Sequence, residues 1–283
     1  MVAFKLFWFP VHWYWIFYFI AFIVWYRFFE LIKKRGLFNN FPNLKKFFFY
    51  GIEDIFTALI LSVLIWWRLG YVLFYDFTYY LHNPWKIVFV WEWGMSFVGG
   101  TIWVILAGIF LYRKYKLNKQ EFLLFMDSVV SIVPLWLMLG RIWNFLNQEL
   151  YGKTVQTLLP NLSENLINLW QKIYLFLIYK NVDSQLRINS NLLEAFLEWF
   201  LLLIILQFVF WQKTSKYKIN PWVLSAKFIV LYGIFRFLME FLRYYPNEDY
   251  INWLTLSQYF MIFYIIIWII LIFKFSQKKS LQK

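Results

Sequence analysis

The chain reads as an all-α integral membrane protein with seven transmembrane helices, its N-terminus outside and its C-terminus cytoplasmic. Three observations predict this class. Hydrophobic residues make up 62% of the 283 and mean hydropathy is +0.56, more apolar surface than a soluble domain can hide beneath a polar exterior. Seven apolar runs approach the roughly 20 residues that cross a bilayer as a helix. Lysine and arginine also concentrate in alternate connecting segments, as orientation by cytoplasmic positive charge requires.

The seven runs are 7–26, 50–75, 96–112, 121–141, 193–212, 222–242 and 254–273. The first lacks a small-residue cleavage site and is too long for a signal-peptide core, so it is expected to be retained as a helix. Segments 27–46, 113–119, 213–220 and 274–283 carry 6, 4, 3 and 4 Lys and Arg, against 1, 1, 4 and 1 in 1–6, 76–95, 142–192 and 243–253. The first set is therefore assigned to the cytoplasm. Between the second and third runs, NPWKIVFVWEWGMSFVGG (83–100) is expected to dip into the bilayer edge, with Gly94, Gly99 and Gly100 permitting irregular backbone. The chain is expected to form one transmembrane domain, 1–283, with 142–192 as a small extracytoplasmic head between helices four and five. Within that head, LINLWQKIYLFLIYK (166–180) mixes polar and apolar residues too evenly for a span. It belongs on the bilayer surface or in a small outer domain.

Composition also excludes functions. With no cysteine, disulfides, thiolate metal sites and a cysteine nucleophile are out. Two histidines, His12 and His82, are too few for a histidine metal centre, so no metal or soluble cofactor is expected. The net charge of +13 sits in alternate loops, which points to membrane lipids and not to nucleic acid. Tryptophans and tyrosines, 18 and 20 of them, suit interfacial belts.

The informative residues are ionisable groups at membrane depth. A central Arg costs roughly 2.5–3.5 kcal/mol on insertion scales and cannot escape by losing its proton. It calls for a carboxylate, water or an anionic ligand. GRIWNFLNQELYG (140–152) closes the fourth run, and on a helix Arg141, Asn144 and Gln148 share one face, with Asn147 and Glu149 just beyond. In LYGIFRFLMEFLR (231–243), Tyr232, Arg236, Glu240 and Arg243 form one polar stripe with a surplus positive charge, and Gly233 admits a close neighbour or ligand. Two readings stand for this stripe: an intrahelical Arg236–Glu240 pair with Arg243 reaching the interface, or part of a ligand site. Both arginines fall in the outer half of the membrane, and a planar guanidinium fork matches a pair of phosphate oxygens. The pattern reads as an outward-facing anion site of phospholipid size. Tyr14 lies at a span end, where an interfacial anchor and a cavity residue look alike. Arg68 calls for a carboxylate such as Asp127 or Glu92. Asp127 and Glu194 read as helix caps or ion-pair partners.

GRIWNFLNQELYG resembles the signature of bacterial prolipoprotein diacylglyceryl transferases, GR-x-G-NF-x-N-x-E-x-x-G, at Gly140, Arg141, Asn144, Phe145, Asn147, Glu149 and Gly152. The resemblance continues in order along nearly the whole chain: HWYW (12–15), RLGYVLFY (68–75), GMSF-x-GG (94–100), YGIFR and MEFLR. It implies a multi-pass enzyme of the bacterial plasma membrane with an outward N-terminus and an outer head domain. The implied partners are phosphatidylglycerol and the preprolipoprotein signal peptide with its lipobox cysteine, whose thiol receives the diacylglyceryl group as glycerol phosphate leaves. Arg141 and Arg236 would hold the phosphate, with Asn144 and Glu149 organising Arg141. Tyr14, Tyr232 and Glu240 would complete the cavity, and Asn147, Gly152, Arg243 and Arg68 would contribute to lipid binding.

Three departures stand out. Where the GMSF-x-GG loop often carries a histidine proposed as the thiol's base, this chain has Val98. Trp143 replaces the signature's middle glycine. The segment HPSQLYE appears as INSNLLE (188–194), which retains Ser190, Leu192 and Glu194. Either a tyrosine or carboxylate takes the thiol proton, or activity is reduced. A phospholipid-binding or transport protein that has lost the reaction is the alternative of a different class. No inverted repeat or ring of like charges supports a channel or solute carrier.

Overall fold

A computed structural model of the chain describes residues 2–6, 9–61, 71–72, 77–88, 97–174, 179, 182–183, 185–215, 222–245, 250–251 and 253–280. Helices dominate. Two short antiparallel ribbons accompany them, Val2–Leu6 with Phe9–His12 and Tyr250–Ile251 with Leu254–Thr255. The chain divides into two compact units, Met1–Ala21 with Met126–Lys283, and Phe22–Phe125.

The elements depart from the expected runs in places with a local cause. The first helix is Trp13–Lys34, because 2–12 are spent on the ribbon. It continues through charged residues expected in a loop and ends near Gly36, whose φ of 61° suits a residue without a side chain. The second run is helical over Ile52–Leu61, and 62–70 lie outside the described residues. The fourth run is Lys119–Val130 and Val133–Asn147, interrupted at Ser131 and Ile132 ahead of Pro134 in the new helix's first turn. The third, sixth and seventh runs become Phe97–Lys114, Val223–Glu240 and Leu256–Ser280. Among the described residues, Lys119–Asn147 and Ser190–Gln212 are long and apolar enough to cross a membrane.

In the unit Phe22–Phe125, an aromatic core gathers around Phe47, which meets Tyr115 and Phe125 edge-on at 5.0 and 4.9 Å. Helix Pro42–Tyr50 begins after Phe41, which has no capping oxygen. Buried Glu121 substitutes: its Oε1 accepts the backbone N–H groups of Asn43 and Leu44 at 3.0 and 3.2 Å. Otherwise unpaired helix donors thus acquire a charged acceptor.

In the other unit, Asp127 does the same for Val223–Glu240, accepting the Ser225 backbone N–H at 2.8 Å and its hydroxyl at 2.6 Å. Capping, one of the two roles expected for Asp127, is thus present, while Arg68, its expected ion-pair partner, lies outside the described residues. That helix packs on Leu256–Ser280, where a Cβ added at Gly233 would stand 2.8 Å from Ile265 Cγ1. The neighbour admitted by Gly233 is a helix. Segment 142–192 holds helix Glu164–Ile173, none of whose residues is buried, whereas Tyr179 is buried; 175–178 and 180 of the stretch 166–180 lie outside the described residues.

Candidate active site

Helix Val133–Asn147 carries Arg141 and Asn144, and it ends at Gln148, which turns left-handed at φ 57°. Gln148 therefore leaves the helical face expected for it. The reversal brings Glu149 back onto the helix end. Arg141 Nη1 donates to Asn144 Oδ1 at 3.4 Å, and Asn144 Nδ2 donates to Glu149 Oε1 at 2.9 Å. Asn147 Nδ2 reaches the same oxygen at 3.4 Å. Four signature residues thus form one relay ending on the guanidinium.

Residues 189–194 supply the counter-charge. Asn189 caps Ser190–Leu193 by accepting from Leu192 N at 3.1 Å. Ser190 Oγ donates to the Leu150 carbonyl at 3.1 Å, and Asn191 Nδ2 to the Glu149 carbonyl at 2.7 Å. The helix then widens to a π-helix over Glu194–Phe200, a form that recurs at functional sites. Glu194 is fully buried and gathers three arginines, one from helix Val133–Asn147 and two from the sixth-run stretch. Arg141 Nε lies 2.7 Å from Oε2, Arg236 Nη1 3.4 Å from the same oxygen, and Arg243 Nε 2.7 Å from Oε1. The sixth-run stripe adds Glu240, whose Oε2 is 2.7 Å from Arg236 Nη2. Its Oε1 accepts the Tyr245 hydroxyl and, at 3.3 Å, that of Thr255.

The Arg236–Glu240 pair is thus part of a larger ion-pair cluster. Arg243 turns inward to Glu194, which settles against its expected reach to the interface. The cluster is not sealed: the Arg141, Arg243 and Arg236 side chains keep 19%, 11% and 9% exposure. A Cβ added at Gly140, beside Arg141, would meet no atom within 4 Å. Arg243 Nη2 is buried and has no hydrogen-bond acceptor among the described residues. Three guanidiniums face two hydrogen-bonded carboxylates, so one positive charge and at least one donor remain for an anion.

Tyr232 stacks between Trp199 and Phe228, with centroids at 5.1 and 6.0 Å. Gly152 is in tight backbone contact: an added Cβ would stand 2.4 Å from the Ile188 carbonyl oxygen and 2.9 Å from that of Leu242. It forms a β-bridge to Arg243. Its carbonyl accepts from Arg187 Nη1 at 3.1 Å, and that guanidinium lies over the rings of Tyr151 and Tyr244. Arg187 also pairs with Asp183 at 2.5 Å, which holds the Asp183 carboxyl below its usual range. Burial pushes the Tyr179 hydroxyl, which donates to Asn189 at 3.0 Å, up to about 12. Residues 151–188 therefore anchor the stretch that presents Arg243. Arg68, Glu92 and the side chains of Tyr14 and Val98 lie outside the described residues. Sequence reasoning left Glu194 among caps and ion-pair partners and passed over Glu198 and Tyr245. The spacing Glu194, Glu198 within an apolar run was the available signal.

Among the described residues, two apolar helices of membrane-spanning length contribute to a buried cluster of three arginines and two glutamates, in keeping with a membrane protein. The comparisons agree. A family model described as prolipoprotein diacylglyceryl transferase matches residues 1–274. A phosphatidylglycerol–prolipoprotein diacylglyceryl transferase of Legionella pneumophila is 35% identical over 262 residues, covering 91% of this chain and 90% of its own. One from Xanthomonas oryzae pv. oryzae is 34% identical over 265 residues, covering 91% and 84%. The chain belongs to the prolipoprotein diacylglyceryl transferase family.

Proposed function

We propose that this chain transfers the diacylglyceryl group of phosphatidylglycerol to the lipobox cysteine thiol of preprolipoproteins, as a multi-pass enzyme of the bacterial inner membrane. Its arrangement is seven spans with the N-terminus outside, a single transmembrane domain and 142–192 as the outer head. The observation that carries the reading is the convergence of Arg141, Arg236 and Arg243 on buried Glu194, with Arg243 Nη2 left without an acceptor among the described residues. A phosphodiester monoanion matches the surplus charge and the donor.

In the reaction, the thiol sulfur bonds to the glycerol carbon as that carbon's bond to the phosphate oxygen breaks. Negative charge grows on the departing phosphate. Guanidiniums already fixed by Glu194, Glu240 and the Asn144–Glu149 relay stabilise it without reorganising, and the water-poor surroundings strengthen the effect. Asn147 supports that relay. Tyr232 shapes the cavity wall, and Tyr14 completes the lipid site. Gly152 sets the backbone that presents Arg243. The nucleophile belongs to the peptide, in keeping with a chain that has no cysteine.

The test incubates purified protein with phosphatidylglycerol and a lipobox peptide and measures glycerol phosphate release and thioether formation. Stoichiometric appearance of both is expected. Lipid binding without turnover, where a relative works, would overturn the reading in favour of a lipid-binding protein.

A further inference from the structure

Resting on that reading, we propose that Glu198 is the proton acceptor for the attacking thiol. Glu198 is fully buried on the π-helical segment Glu194–Phe200. Both of its oxygens lack a hydrogen-bond partner among the described residues. A buried carboxyl without partners costs free energy that most folds avoid, so its retention one turn from the arginine hub calls for a function. The charged and titratable groups around it are Glu194 on its own segment, Arg141 on helix Val133–Asn147, and Arg236, Arg243 and Tyr232 from the sixth-run stretch.

Charge balance gives the function its direction. Arg141, Arg236 and Arg243 against Glu194 and Glu240 leave one positive charge, the one that a carboxylate at Glu198 would balance in a lipid-free site. Arrival of the phosphodiester monoanion supplies that negative charge instead. Glu198 is then a surplus anion in a low-dielectric site and gains by taking a proton. The thiol is the proton source at hand. Its proton passes to a Glu198 oxygen, sulfur bonds to the glycerol carbon, and the carbon–oxygen bond to phosphate breaks. The proton then moves to the departing phosphate monoester, which restores the carboxylate. No oxidant, metal or further reactant enters. Substrate binding thus creates the base that the reaction needs, in a chain where position 98 is a valine without a titratable group.

The test compares wild type, Glu198→Gln and Glu198→Asp, purified in phosphatidylglycerol mixed micelles with a lipobox peptide, from pH 6 to 9. Glu198→Gln is expected to lose on the order of 10²–10⁴ in kcat at pH 7 with a KM for phosphatidylglycerol no higher than that of wild type, because the competing anion is gone. Its rate should climb about tenfold per pH unit toward the free thiol's value near 8.5, where thiolate forms unaided. Glu198→Asp should fall between. Three results overturn the assignment: Glu198→Gln with wild-type kcat at pH 7, a loss that alkaline pH does not relieve, or loss of lipid binding together with rate. An inactive wild type would instead sink the transferase reading itself.

Discussion

Glu194→Gln tests the organisation of the site most directly. Glutamine keeps the volume and one acceptor but removes the charge on which three guanidiniums rest, at 2.7, 2.7 and 3.4 Å. Among the residues hydrogen-bonded in the cluster, three positive charges would face only Glu240. Removing one partner of a buried ion pair typically costs about 3–5 kcal/mol, because the remaining charge stays desolvated and unpaired. At roughly 2 °C per kcal/mol for a chain of this length, the midpoint of thermal unfolding in detergent should fall by about 6–10 °C. An anion able to fill the same place should return part of that loss, so added phosphatidylglycerol should raise the variant's midpoint more than the wild type's. The assay is a pair of melting curves, with and without the lipid, for each protein. A fall below about 2 °C, or a lipid effect equal in both proteins, would refute the claim that Glu194 holds the arginines for an anion.

Arg141→Ala should lower transfer by on the order of 10²–10³ while the protein remains membrane-inserted, as checked by glycerol phosphate release alongside a membrane-extraction profile. Gly152→Ala places a Cβ 2.4 Å from the Ile188 carbonyl oxygen. It should destabilise the fold by about 1–3 kcal/mol and raise the KM for lipid by displacing Arg243, both readable from melting and kinetics. The Asp183 carboxyl is held below 3.8 chiefly by its hydrogen bonds from Arg187. Its contribution is present above that value and is lost as pH falls through the lower folded pKa, so wild type should lose more stability than Asp183→Asn in that acid window. Tyr179, raised by burial from 10.0 to about 12, should cost stability as pH climbs through that interval. Tyr179→Phe should lack that alkaline loss in a melting series.

Much of this molecule was legible before any coordinates. An apolar helix in hydrocarbon satisfies its own backbone, so composition and run length are enough to call helical spans. Ionisable residues inside such runs are costly enough to mark a site by their presence alone. Arg141, Asn144 and Glu149 were readable because they lie within nine residues of one another, and Arg236 with Glu240 because they are one turn apart. Short range and a fixed helical period make such neighbours computable from sequence alone.

Other features belonged to the tertiary structure. Glu194 is separated from Arg141 by more than 50 residues and from Arg243 by another helix, so no local period announces that one carboxylate serves three cations. The same holds for Glu121 and Asp127, each of which caps a helix remote in sequence. The left-handed turn at Gln148 and the bridge from Gly152 to Arg243 likewise arise where separate stretches meet. The sequence by itself determined the solvent in which this chain folds and which of its charges need partners, because transfer free energy belongs to each residue. The choice of partner depends on distance, and the packed chain alone sets distances between residues far apart along it.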